Sequence, residues 1–336
     1  MTTFAELTTI GVGGAIADLV TAQTDDEVRA ALSEDAFVLG GGSNLVVADE
    51  PFGRRVVRIG TRGIAVQAHG DRVLVEAAAG EPWDEFVAFT VDHGWSGLEC
   101  LSGIPGLVGA TPMQNVGAYG QEVSSIVSHL SVLDRRSGEV EGLLGSECGF
   151  HYRTSRFKAD PDRWAVLSVA FNLRQRPEGE VRYAELATSL GIEAGMTAPA
   201  TAIREAVLQL RRSKGMVLDS NDPDTRSVGS FFLNPVVEES QAAQVPDCPR
   251  YPAPGGVKLS AAWLIDKAGI QRGWALPQAQ QRVRISAKHT LAIANVHGGT
   301  AADVLALAGE VRRRVREAFG VVLDPEPRLL NCSLPD

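Results

Sequence analysis

Over the first third of the chain, short apolar runs alternate with glycine breaks. "AFVLG" and "LVVAD" flank a glycine turn, and "RRVVRIG" and "RVLVEAAAG" follow, the last with Val73, Val75 and Ala77 at every second position. A period of two marks half-buried strands. The period then changes in "EPWDEFVAFTVDHG". Trp83, Phe86, Val87 and Val91 share one helical face, Pro82 sits in the first turn, and Gly94 closes the C-terminus. Strands return in "HLSVLDRRSGEV", with "RRSG" as a hairpin turn, and in "WAVLSVAFNLR". "TAPATAIREAVLQLRRSK" reads as a helix with Ile203, Val207 and Leu210 on one face. A final helix begins at a capping box, Thr300 with Asp303. It carries the stripe Val304, Leu307, Val311, Val315 and Phe319, and ends at Gly320.

Two segments break this rhythm. Gly97 to Gly120, "GLECLSGIPGLVGATPMQNVGAYG", is too glycine-rich for a long helix and too apolar for a solvated linker, so it reads as a buried loop packed close to a ligand. "GMVLDSNDPDTRSVGS" is polar and turn-rich, and reads as a domain junction or a mobile segment.

Composition narrows the class. A chain of 336 residues exceeds a typical single core and suggests two or three domains. A net charge of −9 leaves no basic field for a nucleic-acid backbone, although a local basic site for one small anion remains open. Cys100, Cys148, Cys248 and Cys332 are scattered, so neither a disulfide framework nor a zinc ribbon is suggested. Cys148 and His151 alone supply too few ligands for a metal site, and none is expected. "MTTFAELTTIG" lacks a basic n-region and an apolar h-region, and no run approaches membrane-spanning length. The expectation is a cytoplasmic protein without membrane insertion.

The turn "LGGGSNLVVAD" is the first candidate for chemistry. A dinucleotide fingerprint requires a helix after its glycines, with an acid about 20 residues on. Here the β-like "LVVADEPFG" follows and breaks at Pro51 and Gly53, so that reading fails. Two readings remain. The turn is a plain hairpin, or its successive backbone N–H groups, with the Ser43 hydroxyl and Asn44 amide, form an anion nest that a Cβ would hold away from a pyrophosphate.

Read together, "LGGGSNLVVAD", "GLECLSGIPGLVGATPMQNVGAYGQEV", "HYRTSRFK", "GSFFLNPVV", "KLSAAWLID" and "LDPEPRLL" resemble, in the same order, the UDP-N-acetylenolpyruvoylglucosamine reductases (the MurB family). The resemblance runs from about Leu7 to Leu330. It implies an α+β chain: a two-part FAD-binding fold of the vanillyl-alcohol-oxidase type plus a C-terminal α+β substrate-binding domain. The corresponding ranges are 1–62 and 63–212 for the two FAD subdomains and 213–332 for the substrate domain. It also implies non-covalent FAD, with Gly40, Gly41, Gly42, Ser43 and Asn44 on the diphosphate. Gly103, Ile104, Pro105, Gly109, Gln114, Asn115 and Gly117 would wrap the rest of the flavin.

The implied activity is that of a UDP-N-acetylmuramate dehydrogenase in peptidoglycan precursor synthesis. NADPH is the co-substrate and UDP-N-acetylglucosamine enolpyruvate the substrate. Hydride passes from flavin N5 to C3, and a proton from Ser230 to C2. Arg153 and Glu326 would flank the enolpyruvyl carboxylate. An enolate dianion needs a fixed cation, and the arginine fork matches a carboxylate. Serine is a weak acid, so its role demands a very basic carbanion or a polarising neighbour. Lys214 and Asn234 match positions at the diphosphate and glucosamine, and Tyr183 matches the tyrosine of a mobile loop found in one subclass. Tyr119, Tyr152 and Tyr251 are further substrate candidates. Lys288 or His289 stands where some members carry a glutamine. A monomer is expected. Two other readings remain, a sugar or alcohol oxidase on the same FAD fold and a nucleotide-binding protein without catalysis. The Arg153, Ser230 and Glu326 set argues against the latter.

Overall fold

A computed structural model describes residues 1–33, 35–277 and 281–335. Its contacts divide the chain into two compact units that interleave in sequence. A central unit comprises Ala17–Gly41 and Gly53–Ser213; a C-terminal unit comprises Met1–Ile16, Gly42–Phe52 and Lys214–Asp336. The expected ranges were contiguous, whereas residues 1–16 and 42–52 cluster with the C-terminal part of the chain.

The central unit holds two sheets. In the five-stranded antiparallel sheet, Trp164–Arg174 lies between Val127–Asp134 and Arg72–Ala78, with Val140–Leu144 and Ile64–His69 at the edges. The "RRSG" turn joins Val127–Asp134 to Val140–Leu144, with Gly138 at φ 75°. Both faces of Trp164–Arg174 are largely buried, which explains why its sequence lacks a clean alternation. In the parallel three-stranded sheet, Val56–Ile59 lies between Leu19–Ala22 and Phe37–Leu39. The helix Trp83–Asp92 buries Trp83, Phe86, Val87 and Val91, the four positions expected from their spacing, and Thr90 beside them. Trp83 and Phe86 pack on Phe171 of the sheet with ring centroids 5.9 and 5.2 Å away. Each such side chain contributes about 1.5–3 kcal/mol by leaving water.

The C-terminal unit is organised by the helix Ala301–Phe319. Its capping box at Thr300 and the left-handed Gly320 (φ 66°) set its two ends, and Val304, Leu307, Val311 and Val315 are buried. Phe319, the last residue of the expected stripe, is only partly buried and packs against Trp263. Around the helix lie Ala261–Lys267, the antiparallel pair Val283–Ile285 with Ile293–Asn295, and a small sheet of Val236–Val237, Gly256–Leu259 and Arg250–Ala253. Leu45–Val47 pairs in parallel with Arg328–Leu330. The Asp49 carboxylate accepts from the N–H groups of Ala301 and Ala302, which adds a negative charge at the helix N-terminus.

The polar stretch after Lys214 begins the C-terminal run of that unit and is tightly hydrogen-bonded. Asp224, Thr225 and Ser227 are buried, and the Thr225 hydroxyl donates to the carbonyls of Asp219 and Asp222.

Candidate active site

The glycine turn is not a hairpin. The strand before it, Phe37–Leu39, pairs with Val56–Ile59, and the strand after it, Leu45–Val47, pairs with Arg328–Leu330. The three glycines answer different demands. A Cβ on Gly41 would come within 2.7 Å of Gly106 Cα; one on Gly42, which is left-handed at φ 63°, would collide with the Leu7 carbonyl oxygen. At Gly40 a Cβ would meet only the Ala110 methyl at 3.6 Å. Two of the three are therefore required by the protein's own backbone. Among the described residues, no backbone carbonyl accepts from the N–H groups of Gly41, Gly42 or Ser43. Consecutive donors left open in a turn are what an anion nest requires, so the residues present fit a diphosphate.

The Gly97–Gly120 segment is buried where expected, with Leu98, Glu99, Cys100, Leu101, Ser102, Val108, Thr111 and Asn115 out of solvent. Two short 3-10 turns, Glu99–Leu101 and Val108–Ala110, replace a long helix. The Gly109 N–H donates to the Ala79 carbonyl at 2.9 Å, and a Cβ on Gly109 would press on Ala79. The Gly103 N–H donates to the Asp84 carboxylate, which also takes both guanidinium nitrogens of Arg204. Burial raises the Asp84 pKa. The hydrogen bonds from Arg204 and Gly103, with the charges of Arg204 and Arg211, outweigh it and hold the carboxyl below its ordinary value. Ile104 packs on the central core, and Pro105 and Gln114 are half-buried.

Arg153 lies on a tight turn of the same unit. His151 and Thr154 exchange backbone hydrogen bonds across it, and Arg153 itself is left-handed at φ 53°. Its guanidinium donates to the Gly117 carbonyl at 2.8 Å and lies 5.7 Å from the Tyr152 ring centre. The Lys158 ammonium donates to the Arg153 carbonyl at 3.1 Å. The buried Ser155 donates its hydroxyl to Met113 O and caps the short helix Arg156–Ala159. Tyr119 and Tyr183 meet edge to face at 5.5 Å, with Tyr183 preceding the helix Ala184–Leu190. Burial pushes the Tyr119 phenol up to about 12, against the opposing charge of Arg211.

In the C-terminal unit backbone hydrogen bonds bring the segments that carry Ser230 and Glu326 side by side. Phe231 N–H donates to Leu291 O at 2.8 Å, Glu326 N–H to Phe231 O at 2.9 Å, and Leu233 N–H to Asp324 O at 3.0 Å. Ser230 and Glu326 are both half-buried. The end of the glycine turn reaches the same place. Asn44 Nδ2 donates to the Glu326 carbonyl at 3.4 Å, and Arg328 N–H to the Asn44 carbonyl at 3.0 Å. Asn234 Oδ1 accepts from Ala261 N–H at the start of Ala261–Lys267. Lys214 is half-buried and Tyr251 exposed.

The turn carrying Lys288 and His289 adjoins Ser230 through the Ser230–Ala292 bridge. The Lys288 ammonium donates to Asp222 at 2.6 Å, which raises its pKa, while the His289 N–H donates to the Ser286 hydroxyl.

Comparison with known proteins identifies the chain. Residues 222–330 match the family profile of the UDP-N-acetylenolpyruvoylglucosamine reductase C-terminal domain, and residues 16–143 match an FAD binding domain. The UDP-N-acetylenolpyruvoylglucosamine reductase of Salinispora arenicola is 50% identical over 345 residues, covering 97% of this chain and 94% of the relative. The chain belongs to the UDP-N-acetylenolpyruvoylglucosamine reductase family. The reductase of Streptomyces coelicolor is 48% identical, with 98% of this chain and 89% of the relative covered. The crystal structure of UDP-N-acetylenolpyruvylglucosamine reductase from Thermus caldophilus superposes with a TM-score of 0.69 at 26% identity, over 98% of this chain and 97% of that one.

Membership fixes the class as a flavin oxidoreductase and supports the expected order of an FAD-binding part followed by an α+β C-terminal domain. No helix among the described residues is long and apolar enough to cross a membrane, and no group of three or more metal-ligating side chains occurs among them. Sequence reasoning missed Asp49, Asp84, Lys158 and Arg204. Each acts through a partner distant in sequence or through backbone atoms, which leaves no local pattern to read.

Proposed function

We propose that this chain catalyses the NADPH-dependent reduction of UDP-N-acetylglucosamine enolpyruvate to UDP-N-acetylmuramate, with FAD bound non-covalently. The observation that carries this, in a chain of this family, is the backbone pairing that sets Ser230 beside Glu326 and ties both to the glycine turn through Asn44. FAD, when bound, supplies the two-electron chemistry that joins the two substrates.

The protein residues do the rest. Gly41, Gly42 and Ser43 present open N–H groups to the diphosphate, with Gly40 leading into them and Asn44 anchoring the end of that turn. Gly103, Ile104, Pro105, Gly109, Gln114 and Gly117 form the wall around the flavin. The Arg153 fork holds the enolpyruvyl carboxylate and stabilises negative charge as it spreads onto it. Ser230 gives its hydroxyl proton to C2, and Glu326 faces the same carboxylate. Lys214 and Asn234 serve the diphosphate and glucosamine. Tyr183, packed on Tyr119, closes over the substrate, with Tyr152 and Tyr251 as further contacts. Lys288, whose ammonium is held by Asp222, or His289 supplies a further substrate contact. A cytoplasmic monomer is the matching cellular form.

The test is anaerobic mixing of the yellow holoenzyme with NADPH and then with UDP-N-acetylglucosamine enolpyruvate. Bleaching by the first and recovery by the second are expected. Flavin that stays bleached would overturn the assignment, and flavin that resists acid extraction would favour an oxidase with a covalent link.

A further inference from the structure

The buried Asn115 stands in the segment assigned to the flavin, yet its side chain is turned inward. Only 1% of its surface is exposed, and its backbone is left-handed at φ 49°, a conformation asparagine tolerates better than most side chains. One amide donor goes to Glu122 Oε2 at 2.9 Å and the same nitrogen donates to the His151 carbonyl at 3.2 Å. Its Oδ1 accepts from Ser124 N–H at 3.1 Å. An asparagine amide has two N–H donors. Both are used within the protein, so none is left for a cofactor.

The His151 carbonyl belongs to the turn whose third residue is Arg153, itself left-handed at φ 53°. A non-glycine residue there is strained and persists only where its surroundings hold it. Asn115 supplies one fixed point. The Gly117 carbonyl, two residues along the same segment, receives the Arg153 guanidinium. The glycine-rich segment therefore grips the arginine turn at both its backbone and its side chain.

We infer that Asn115 is a positioning residue for Arg153: its buried amide holds the 151–154 turn so that the guanidinium meets the carboxylate of the substrate. Its effect falls on the step that uses that arginine and leaves flavin binding intact. The inference rests on the proposed role of Arg153, and the experiment separates the two.

The test is a double-mutant cycle on the holoenzyme with Asn115→Gly and Arg153→Ala, reading flavin content and each half-reaction. Glycine keeps the left-handed backbone and removes only the amide. N115G is expected to retain full flavin and NADPH-driven reduction within about threefold, while reoxidation by the enolpyruvyl substrate slows by about 10²-fold, the cost of a misplacement near 1 Å. Added to R153A, it is expected to have little further effect. Loss of flavin, equal slowing of both half-reactions, or slowing that adds fully to that of R153A would overturn the positioning role. An R153A enzyme that reoxidises at the normal rate would instead overturn the role of Arg153 itself, and this inference with it. If N115G does not fold, Asn115→Asp keeps size and backbone tolerance while losing the amide donors, and reads the same coupling.

Discussion

Arg153 and the pair Ser230 and Glu326 are held in opposite ways. Arg153 sits on an irregular turn whose geometry depends on side chains: Asn115 and Lys158 bond to the carbonyls of His151 and Arg153, and Ser155, just after the turn, bonds to the Met113 carbonyl. Ser230 and Glu326 sit on segments aligned chiefly by backbone hydrogen bonds. A turn held by side chains can be disturbed by one substitution at a distance, whereas a backbone pairing survives most changes of side chain. The difference predicts where this enzyme is fragile.

The largest expected effect is at Ser230 itself. Ser230→Ala is expected to slow flavin reoxidation by about 10²–10⁴-fold, the usual span for a removed general acid, with NADPH-driven reduction and thermal midpoint unchanged. Equal loss of both half-reactions would reject Ser230 as the proton donor. Lys158→Met comes next. Removing a charged hydrogen bond worth about 1.5–3 kcal/mol from the Arg153 carbonyl is expected to slow the same half-reaction about tenfold. On the backbone-held side, Leu291→Met is a volume-conserving change expected to leave both rates within about threefold. Comparable losses in the two variants would erase the contrast.

Smaller effects sharpen the reading of the glycine turn. Gly42→Ala is expected to destabilise the fold by about 2 kcal/mol or more, from the left-handed strain and the clash with Leu7. Gly40→Ala is expected to cost under about 1 kcal/mol, since no strained φ or clash opposes it. Thermal melts of the apoprotein separate the two, and equal destabilisation would show that the glycines are interchangeable.

The smallest effect depends on pH. The Asp84 carboxyl lies below its ordinary pKa, through bonds that outweigh the burial opposing them. Its stabilising contribution is thus complete above the unfolded-state pKa and disappears as pH falls through the folded-state value. Asp84→Asn is expected to lower the thermal midpoint near neutrality and to converge with the native protein in acid. A constant gap at all pH values would contradict the ion pair with Arg204.

The periodic elements were legible because their signal is local. The apolar face of Trp83–Asp92, the capping box and glycine end of Ala301–Phe319, and the hairpin around Gly138 all follow from neighbours within a few turns of chain. The glycine turn was legible as a special backbone, but not which constraint each glycine meets. That Gly41 and Gly42 answer to Gly106 and Leu7 is a fact of packing, and no spacing encodes it. The flanking strands Phe37–Leu39 and Leu45–Val47 likewise gave no sign that they pair with different partners.

By itself, then, the sequence determined which residue types were available: an arginine fork, a serine, a glutamate, and a turn without side chains in the way. Local propensity and periodicity depend on near neighbours, and they carried that much. Only the tertiary structure decided that Asn115 spends its amide on Glu122 and His151, that Lys288 is held by Asp222, and that Asn44 ties the glycine turn to Glu326. The reason is physical. A buried hydrogen-bonding group must find a partner wherever the chain happens to pass, and between Asn44 and Glu326 that is 282 residues away.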